Sequence, residues 1–240
     1  MSTSDSVVNK EFLLSDETIH VFLYQISLFN SAEMILHLSD DEQGRAAKLK
    51  IQQKKDQFVI TRALLRLLLS TNLGKDSQDI VFSYEQHGKP TIEDKINDKA
   101  IEFNISHSGD YALIAMSLEN KVGVDIEEIN SSIDYQSLSK RFFSDKEKNE
   151  LQSLENDRQC DAFYRIWARK ESFIKATGKG VSFGLDRFSV PLEESNDSGM
   201  EILTSVPIKD DWFVYDLLDM DNYKTALTTS RKGGGIIIHK

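Results

Sequence analysis

The chain has 240 residues, of which 40% are hydrophobic and 28% charged, and its formal net charge is −10 at pH 7. This composition excludes an intrinsically disordered chain, and the acidic balance argues against general nucleic-acid binding, because a phosphate backbone requires a basic face. A small anionic ligand held by a few local Lys and Arg residues stays compatible with the net charge. The single cysteine, Cys160, excludes an internal disulfide and a cysteine-cluster metal site.

The N-terminal residues 1–12, MSTSDSVVNKEF, lack the basic segment and the apolar run of a signal peptide. The most apolar stretch, ALLRLLLS, is short and contains Arg66, so we expect no transmembrane helix. A single cysteine also fits a reducing compartment. Together these features predict a cytoplasmic protein.

The first half of the chain alternates between strand and helix patterns. Residues 18–28 alternate in polarity and predict a first strand, and the pattern is helical from Ala32 to about Leu73, where Gly74 ends it. IVFSYEQHGKPTI predicts two strands separated at Gly88 and Pro90. AIEFNISHSGDYALIAMSL predicts two more strands around a Ser-His-Ser-Gly-Asp turn, and KVGVDIEEI follows as another strand.

The second half begins with helices and ends with strands. DYQSLSKRFFSDKEKNELQSL predicts a helix, a break and a second helix, in which Ser144 and Glu147 form a capping box. The clearest helix covers DAFYRIWARKESFIKATGKG and ends at Gly178. Strand-like segments follow at 187–192, 201–207, 212–217 and 223–229, and the tail RKGGGIIIHK is either a last strand or a frayed end. The mixture predicts an α+β fold with a boundary near 118–121.

VGVDIEEI carries two carboxylates on one face of a predicted strand. Asp125 and Glu127 are two residues apart, which places them roughly 6–7 Å apart on the same side. Such carboxylates repel each other unless water or a cation compensates, so the alternatives are a solvated sheet face or an all-oxygen site for Mg²⁺ or Mn²⁺. Glu171 is the candidate third ligand, although helix spacing alone favours a surface ion pair between Glu171 and Lys175, four residues later.

Two other polar groups could bind a ligand. His107 lies in the turn after an apolar strand, where it either contacts a ligand or simply makes a turn hydrogen bond, and spacing alone identifies no Ser-His-Asp triad. Basic residues gather between Arg45 and Arg66, and Lys89 lies in the HGKP turn. Most such runs are solvated helix faces, but a phosphorylated ligand would be bound here.

Five segments occur in a fixed order: HGKPTI, FNISHSGDYALIA, VGVDIEEI, RFFSDKE and FYRIWARKESFIKATGKGVSFGLDRFSV. Together they resemble the 4′-phosphopantetheinyl transferases of the surfactin-synthetase-activating (Sfp) type, from about Ser39 to Val190. The resemblance implies two similar α/β halves, residues 1–118 and 119–240, related by a pseudo-twofold axis, with coenzyme A in the cleft between them. It also implies Mg²⁺-dependent transfer of 4′-phosphopantetheine from coenzyme A to a serine of an apo acyl or peptidyl carrier protein, with release of 3′,5′-ADP.

The resemblance also assigns roles to the carboxylates. Asp125, Glu127 and Glu171 match the Mg²⁺ ligands, and Lys175 matches a lysine that contacts the α-phosphate and the leaving group. We expect Glu171 to accept the proton of the carrier serine, with a water held by the cation as the alternative base.

The residues that match coenzyme A contacts are Ser106 and His107 at the phosphates, Lys89 and Pro90 beside the adenine and its ribose phosphate, and Arg45 with its neighbour Lys48 at the 3′-phosphate.

We expect a monomer that docks its carrier protein on Ile129–Phe143, although Phe142 and Phe143 could instead be core residues. Two other functions stay open: a Mg²⁺-dependent phosphodiesterase and a non-catalytic protein that binds carriers or coenzyme A. The sequence does not distinguish fatty-acid, polyketide and nonribosomal-peptide carriers.

Overall fold

The computed structural model describes residues 12–93, 95–193, 199–204, 211–233 and 235–240. The expectation that the N-terminus is no signal peptide therefore concerns residues that, apart from Phe12, lie outside this range. The helices within the described residues are α1 (Ser31–Met34), α2 (Asp40–Ala47), α3 (Gln52–Leu73), α4 (Tyr135–Phe142), α5 (Asp145–Ser153) and α6 (Asn156–Thr177). None of them is long and apolar enough to span a membrane.

The strands within the described residues have two to eight residues each. They are β1 (Thr18–Gln25), β2 (Phe82–Tyr84), β3 (Pro90–Ile92), β4 (Ile101–Ser108), β5 (Tyr111–Leu118), β6 (Val122–Glu128), β7 (Phe188–Ser189), β8 (Met200–Glu201), β9 (Leu203–Thr204), β10 (Phe213–Asp216), β11 (Tyr223–Thr229) and β12 (Gly235–His239). They confirm an α+β fold. The predicted strand at 201–207 is broken at Ile202, and its residues 205–207 lie outside the described residues.

The helical segment predicted from Ala32 to Leu73 is divided into three helices. Ser39 and Glu42 form a capping box that starts α2, and Ile51 is extended immediately before α3. Gly74 ends α3 in the left-handed conformation, with φ 62°, as the sequence predicts. The capping box between Ser144 and Glu147 is present at the start of α5.

Two four-stranded sheets form the centre of the molecule. The first has the order β12-β1-β5-β4 and the second the order β6-β11-β10-β8. The Gly-Ile tail forms the strand β12, which pairs in parallel with β1. The two strands are also joined by a side-chain contact, since His20 Nδ1 lies 3.0 Å from His239 Nε2. The last strand of the chain thus joins the sheet of the first half. The division into residues 1–118 and 119–240, and the pseudo-twofold relation between the halves, stay predictions.

The sheets are stacked between two helical layers. One apolar cluster joins α3 to the first sheet, and another joins α4–α6 to the second. A third cluster lies between the sheets and contains Ile19 and Val21 of β1 and Val122, Val124 and Ile126 of β6. Because side chains alternate along a strand, the other face of β6 is turned towards α6.

Buried ion pairs fix each helical layer. Arg66 of α3 donates from Nε to Glu42 Oε2 at 2.6 Å, and Lys170 of α6 donates to Glu147 Oε2 at 2.8 Å. Both side chains of the second pair have no solvent exposure. The second pair holds α5 on α6, the helix that carries Glu171.

Candidate active site

Strands β4 and β6 meet edge to edge through side chains instead of a backbone ladder. Three polar side chains of β4 accept hydrogen bonds from alternate backbone N–H groups of β6. Asn104 Oδ1 accepts from Val124 at 2.9 Å, Ser106 Oγ from Ile126 at 3.4 Å and Ser108 Oγ from Glu128 at 3.0 Å. These contacts set the register between the two sheets and place the carboxylates of β6 beside Ser106.

Helix α6 lies directly on β6 because Gly123 has no side chain. A Cβ at Gly123 would be 2.1 Å from the carbonyl oxygen of Ser172 and 2.3 Å from the backbone nitrogen of Ala176. The face that carries Asp125 and Glu127 is therefore covered by a helix, and Asp125 is only 2% exposed. This excludes the solvated sheet face that the sequence left open for Asp125.

We expect Gly123→Ala to lower the free energy of unfolding by roughly 1–3 kcal/mol, because the new methyl group overlaps backbone atoms of α6. The displaced helix should also reduce activity. Gly44→Ala is the matched control, since its Cβ would meet nothing within 4 Å in α2 and the substitution should be neutral or stabilising. Urea unfolding of both variants tests this, and equal midpoints would contradict the close packing of α6 on β6.

Lys175 links Asp125 to Ser106. Its Nζ donates to Asp125 Oδ1 at 2.6 Å and to Ser106 Oγ at 2.9 Å, and Ser106 Oγ donates to the same Asp125 oxygen at 2.9 Å. Lys175 thus pairs with Asp125, and no ion pair between Lys175 and Glu171 is found among the described residues. The second carboxylate oxygen, Asp125 Oδ2, is buried and has no hydrogen-bond partner there.

Burial raises the pKa values of all three carboxylates, and Asp125 further raises those of Glu127 and Glu171. Burial and then Asp125 raise the pKa of Glu127 to about 8, and a hydrogen bond donated by Trp167 opposes this shift. Burial and then Asp125 also raise the pKa of Glu171. Burial raises the pKa of Asp125 itself, opposed by Lys175. The group therefore favours either protonation or a bound cation.

The donor chemistry fits an oxygen-ligated cation such as Mg²⁺. All three candidate ligands are carboxylates, and Asp125 Oδ2 is a buried acceptor without a hydrogen-bond partner in the described part of the chain. Among the described residues, no three Asp, Glu, His or Cys side chains are gathered closely enough to hold a metal ion as they stand. This suits Mg²⁺, which is usually bound by one or two carboxylates, water and substrate phosphates instead of a complete protein cage.

Two basic side chains, His107 and Lys89, lie near Lys175. His107, next to Ser106, is exposed at its surface, and its pKa is lowered by partial burial, then by Lys175 and Lys54. Lys89 Nζ donates to the carbonyl oxygen of Ala176 in α6 at 3.3 Å, and burial lowers its pKa. Ser106, His107 and Lys89 therefore all lie near Lys175 in the structure.

The other predicted contacts lie farther out. Pro90 opens β3 opposite Tyr84. Arg45 stacks over the Phe58 ring at 5.0 Å, and Lys48 is an exposed residue at the end of α2. Within the described residues, no hydrogen bond or ion pair joins Arg45 or Lys48 to the carboxylates.

Three residues have contacts that the sequence did not assign to them individually. Trp167 was assigned to an apolar stripe, although it donates to Glu127. Lys54 was one of many basic residues, and it lies close enough to His107 to affect its pKa. Arg62 is 5% exposed, its guanidinium lies over Phe82, and its Nε pairs with Glu42 Oε1 at 3.3 Å, while Nη1 has no hydrogen-bond partner among the described residues. The sequence already places Arg62 among the apolar residues of α3, and this position indicates a buried side chain.

Comparisons with known proteins relate both halves of the chain to one family. The profile described as "4′-phosphopantetheinyl transferase superfamily" matches residues 121–228, and the one described as "4′-phosphopantetheinyl transferase, N-terminal" matches residues 29–119. The chain is 37% identical to a putative 4′-phosphopantetheinyl transferase of Synechocystis sp. over 79% of this chain and 78% of that protein. It is 30% identical to the 4′-phosphopantetheinyl transferase HetI of Nostoc sp. over 92% and 91%.

The 4′-phosphopantetheinyl transferase Sfp of Bacillus subtilis is 34% identical over 69% of this chain and 71% of its own length. These matches cover both halves of the chain, including every motif described above. The chain therefore belongs to the 4′-phosphopantetheinyl transferase superfamily, whose members transfer 4′-phosphopantetheine from coenzyme A to a serine of a carrier protein.

Proposed function

We propose that this transferase uses Asp125, Glu127 and Glu171 to hold Mg²⁺ against the pyrophosphate of coenzyme A, and Lys175 to bind the phosphate oxygens. The observation that carries the proposal is Asp125 Oδ2, a buried carboxylate oxygen without a partner beside two carboxylates with raised pKa values. Mn²⁺ could replace Mg²⁺ because both prefer oxygen ligands. Bound there, the cation would neutralise charge on the phosphates as the P–O bond breaks.

We propose that Lys175 binds different groups before and after the substrate enters. Without substrate its ammonium group is held by Asp125 and Ser106. When the pyrophosphate is bound, the same ammonium group donates to the α-phosphate and stabilises the 3′,5′-ADP that leaves. Ser106 and His107 contribute further donors on the β4 side.

Glu171 is the proposed base that accepts the proton of the carrier serine. Its raised pKa makes it a stronger base than an ordinary glutamate, provided that it is ionised at the working pH. The carboxylate lies on α6, one helical turn before Lys175, so both can face the same substrate.

We expect Glu171→Gln to slow the single-turnover transfer step by about a hundredfold at saturating Mg²⁺, because the amide cannot accept the proton. The pH–rate profile should also lose its acidic limb, since that limb reports ionisation of the base. Rapid-quench kinetics with an apo carrier protein would measure both. A near-normal rate at saturating Mg²⁺ would exclude Glu171 as the base.

We assign the adenosine end of coenzyme A to the side of the site where Lys89 and Pro90 lie. Lys89 already contacts the C-terminal end of α6. Arg45 and Lys48 are the proposed contacts of the 3′-phosphate. Arg62 is added because its Nη1 has no hydrogen-bond partner among the described residues and because Arg45 lies close enough to contribute, after burial, to the lowered pKa of Arg62.

The carrier protein is proposed to dock on Ile129–Phe143. Phe143 is completely buried and belongs to the core, so it is not available for docking. Phe142 is partly buried against Trp167. The exposed Lys140 and Arg141 in the last turn of α4 supply the local positive charge that an acidic carrier requires.

One assay separates this function from its alternatives. The protein is incubated with coenzyme A, Mg²⁺ and a panel of apo acyl and peptidyl carrier proteins, and the products are read by mass. Gain of one phosphopantetheine on a carrier supports the transferase. Free phosphopantetheine without transfer indicates a phosphodiesterase, and coenzyme A binding without turnover indicates a non-catalytic protein.

The acidic composition and the single cysteine support a cytoplasmic enzyme that does not bind nucleic acid. A monomer is sufficient for the reaction, because one chain supplies all the proposed ligands from β4, β6 and α6.

A further inference from the structure

Lys224 of β11 lies directly opposite Glu127 of β6. The register of these antiparallel strands aligns Lys224 with Glu127, and Ala226 with Asp125. Residues that are directly opposite each other share one face of a sheet, with Cβ atoms about 4.5–5.5 Å apart. Lys224 therefore projects from the face that carries Asp125 and Glu127 and that α6 covers.

The ammonium group of Lys224 is held by α6 instead of Glu127. Its Nζ lies 2.6 Å from Asp161 Oδ1, and the other oxygen of that carboxylate lies 3.6 Å from Arg165 Nη2. The side chains of Lys224 and Asp161 are only 22% and 45% exposed. Asp161 precedes Glu171 in α6 by roughly 15 Å along the helix axis. The ion pair thus draws the lysine charge towards the start of α6, away from the third proposed ligand.

The electrostatics of Glu127 agree with this separation. The charged groups that shift its pKa are Asp125, Lys175 and Glu171, and Lys224 is not among them in the described part of the chain. A neighbouring ammonium group would favour the ionised carboxylate and lower its pKa. The pKa of Glu127 is instead raised to about 8, although a lysine occupies the opposite position on the next strand.

A released Lys224 would compete with the proposed cation. Lysine carries its charge on a flexible four-carbon stem, which is long enough to reach a carboxylate directly across a strand pair. Without the charge of Asp161, the carboxylate opposite Lys224 is Glu127. An ammonium group bound there would neutralise this carboxylate and occupy an oxygen that a metal ion requires.

We propose that Asp161 is a positioning residue of the metal site, which holds Lys224 away from Glu127 and so keeps that carboxylate available to the cation. Asp161 acts through Lys224 and is not itself a ligand. The inference rests on the proposed function, because it requires Glu127 to bind the cation.

The test measures metal binding directly. Mn²⁺ is titrated into the protein, and the electron paramagnetic resonance signal of the free ion gives the dissociation constant. Asp161→Asn releases Lys224, and the double variant Asp161→Asn with Lys224→Met removes the competing charge as well. Asp157→Asn is the matched control for the change in net charge, since Asp157 is an exposed carboxylate one turn earlier in α6. Thermal unfolding verifies that each variant is folded.

We expect Asp161→Asn to weaken Mn²⁺ binding by about fivefold relative to Asp157→Asn, and the double variant to bind Mn²⁺ as Asp157→Asn does. In carrier modification, the Mg²⁺ concentration that gives half the maximal rate should rise to the same extent in Asp161→Asn. The rate at saturating Mg²⁺ should stay unchanged, because Asp161 takes no part in the chemical step.

Two results overturn the positioning role while the metal site stands. One is equal Mn²⁺ affinity in Asp161→Asn and Asp157→Asn, which would mean that Lys224 does not turn to Glu127. The other is equally weak binding by Asp161→Asn and the double variant, which would mean that the effect does not pass through Lys224. If the unmodified protein binds no Mn²⁺, the proposed metal site fails, and this inference fails with it.

Discussion

Replacing Asp125 by asparagine should lower the rate of carrier modification by about a thousandfold or more, because it removes the charge that pairs with Lys175 and that would hold the proposed cation. Asparagine keeps the size of the side chain and its hydrogen bond to Ser106. The measurement is single-turnover transfer from coenzyme A to an apo carrier protein.

The same variant should be as stable as the unmodified protein or more so. Burial raises the pKa of Asp125, so its ionised form is costly in the folded state, and Lys175 is 28% exposed and can turn towards water. Glu128→Gln is the matched control, since Glu128 is exposed and follows Glu127 on the same strand. An active Asp125→Asn, or an inactive Glu128→Gln with active Glu127→Gln, would show that the wrong carboxylates have been assigned.

Replacing Lys170 by methionine should lower the free energy of unfolding by about 3–5 kcal/mol, because it leaves the buried carboxylate of Glu147 without its countercharge. Lys170 Nζ also donates to the carbonyl oxygens of Leu185 and Phe188, both at 2.7 Å. The loss of these bonds adds two unsatisfied acceptors next to α6. Urea unfolding measures the effect.

Lys148→Met is the control for that experiment. Lys148 pairs with Asp145, whose side chain is 97% exposed, and such surface pairs contribute only about 0–1 kcal/mol. Combining Lys170→Met with Glu147→Gln should recover part of the loss, because the uncompensated charge is then gone. A Lys170→Met variant as stable as Lys148→Met would mean that the buried pair does not hold α5 on α6.

Local patterns predicted the strand that carries the site. The alternation in VGVDIEEI places Val124 and Ile126 on one face and Asp125 and Glu127 on the other, as the structure has them. The covering of the second face by α6 is a long-range contact that periodicity cannot contain. Gly123 was the available signal, since a glycine in a strand interior often marks the close approach of another backbone.

The remaining differences between the sequence predictions and the structure have local and long-range causes. The break between α1 and α2 could have been predicted from the capping box at Ser39 and Glu42, which starts α2. The parallel pairing of β12 with β1 joins residues more than 200 positions apart, and no local pattern specifies such a partner. Trp167 was read as apolar because its N–H donation to Glu127 depends on how α6 is rotated on β6.

The Mg²⁺ dependence of carrier modification tests the account most directly. The protein is freed of divalent cations by chelation and gel filtration, and transfer to an apo carrier is followed while Mg²⁺ is added back, for the unmodified protein and for Glu127→Gln and Glu128→Gln. We predict no transfer without a divalent cation, full recovery with Mg²⁺, and a higher Mg²⁺ requirement only in Glu127→Gln. Transfer at the full rate in excess chelator would contradict the assignment of Asp125, Glu127 and Glu171 as a metal site.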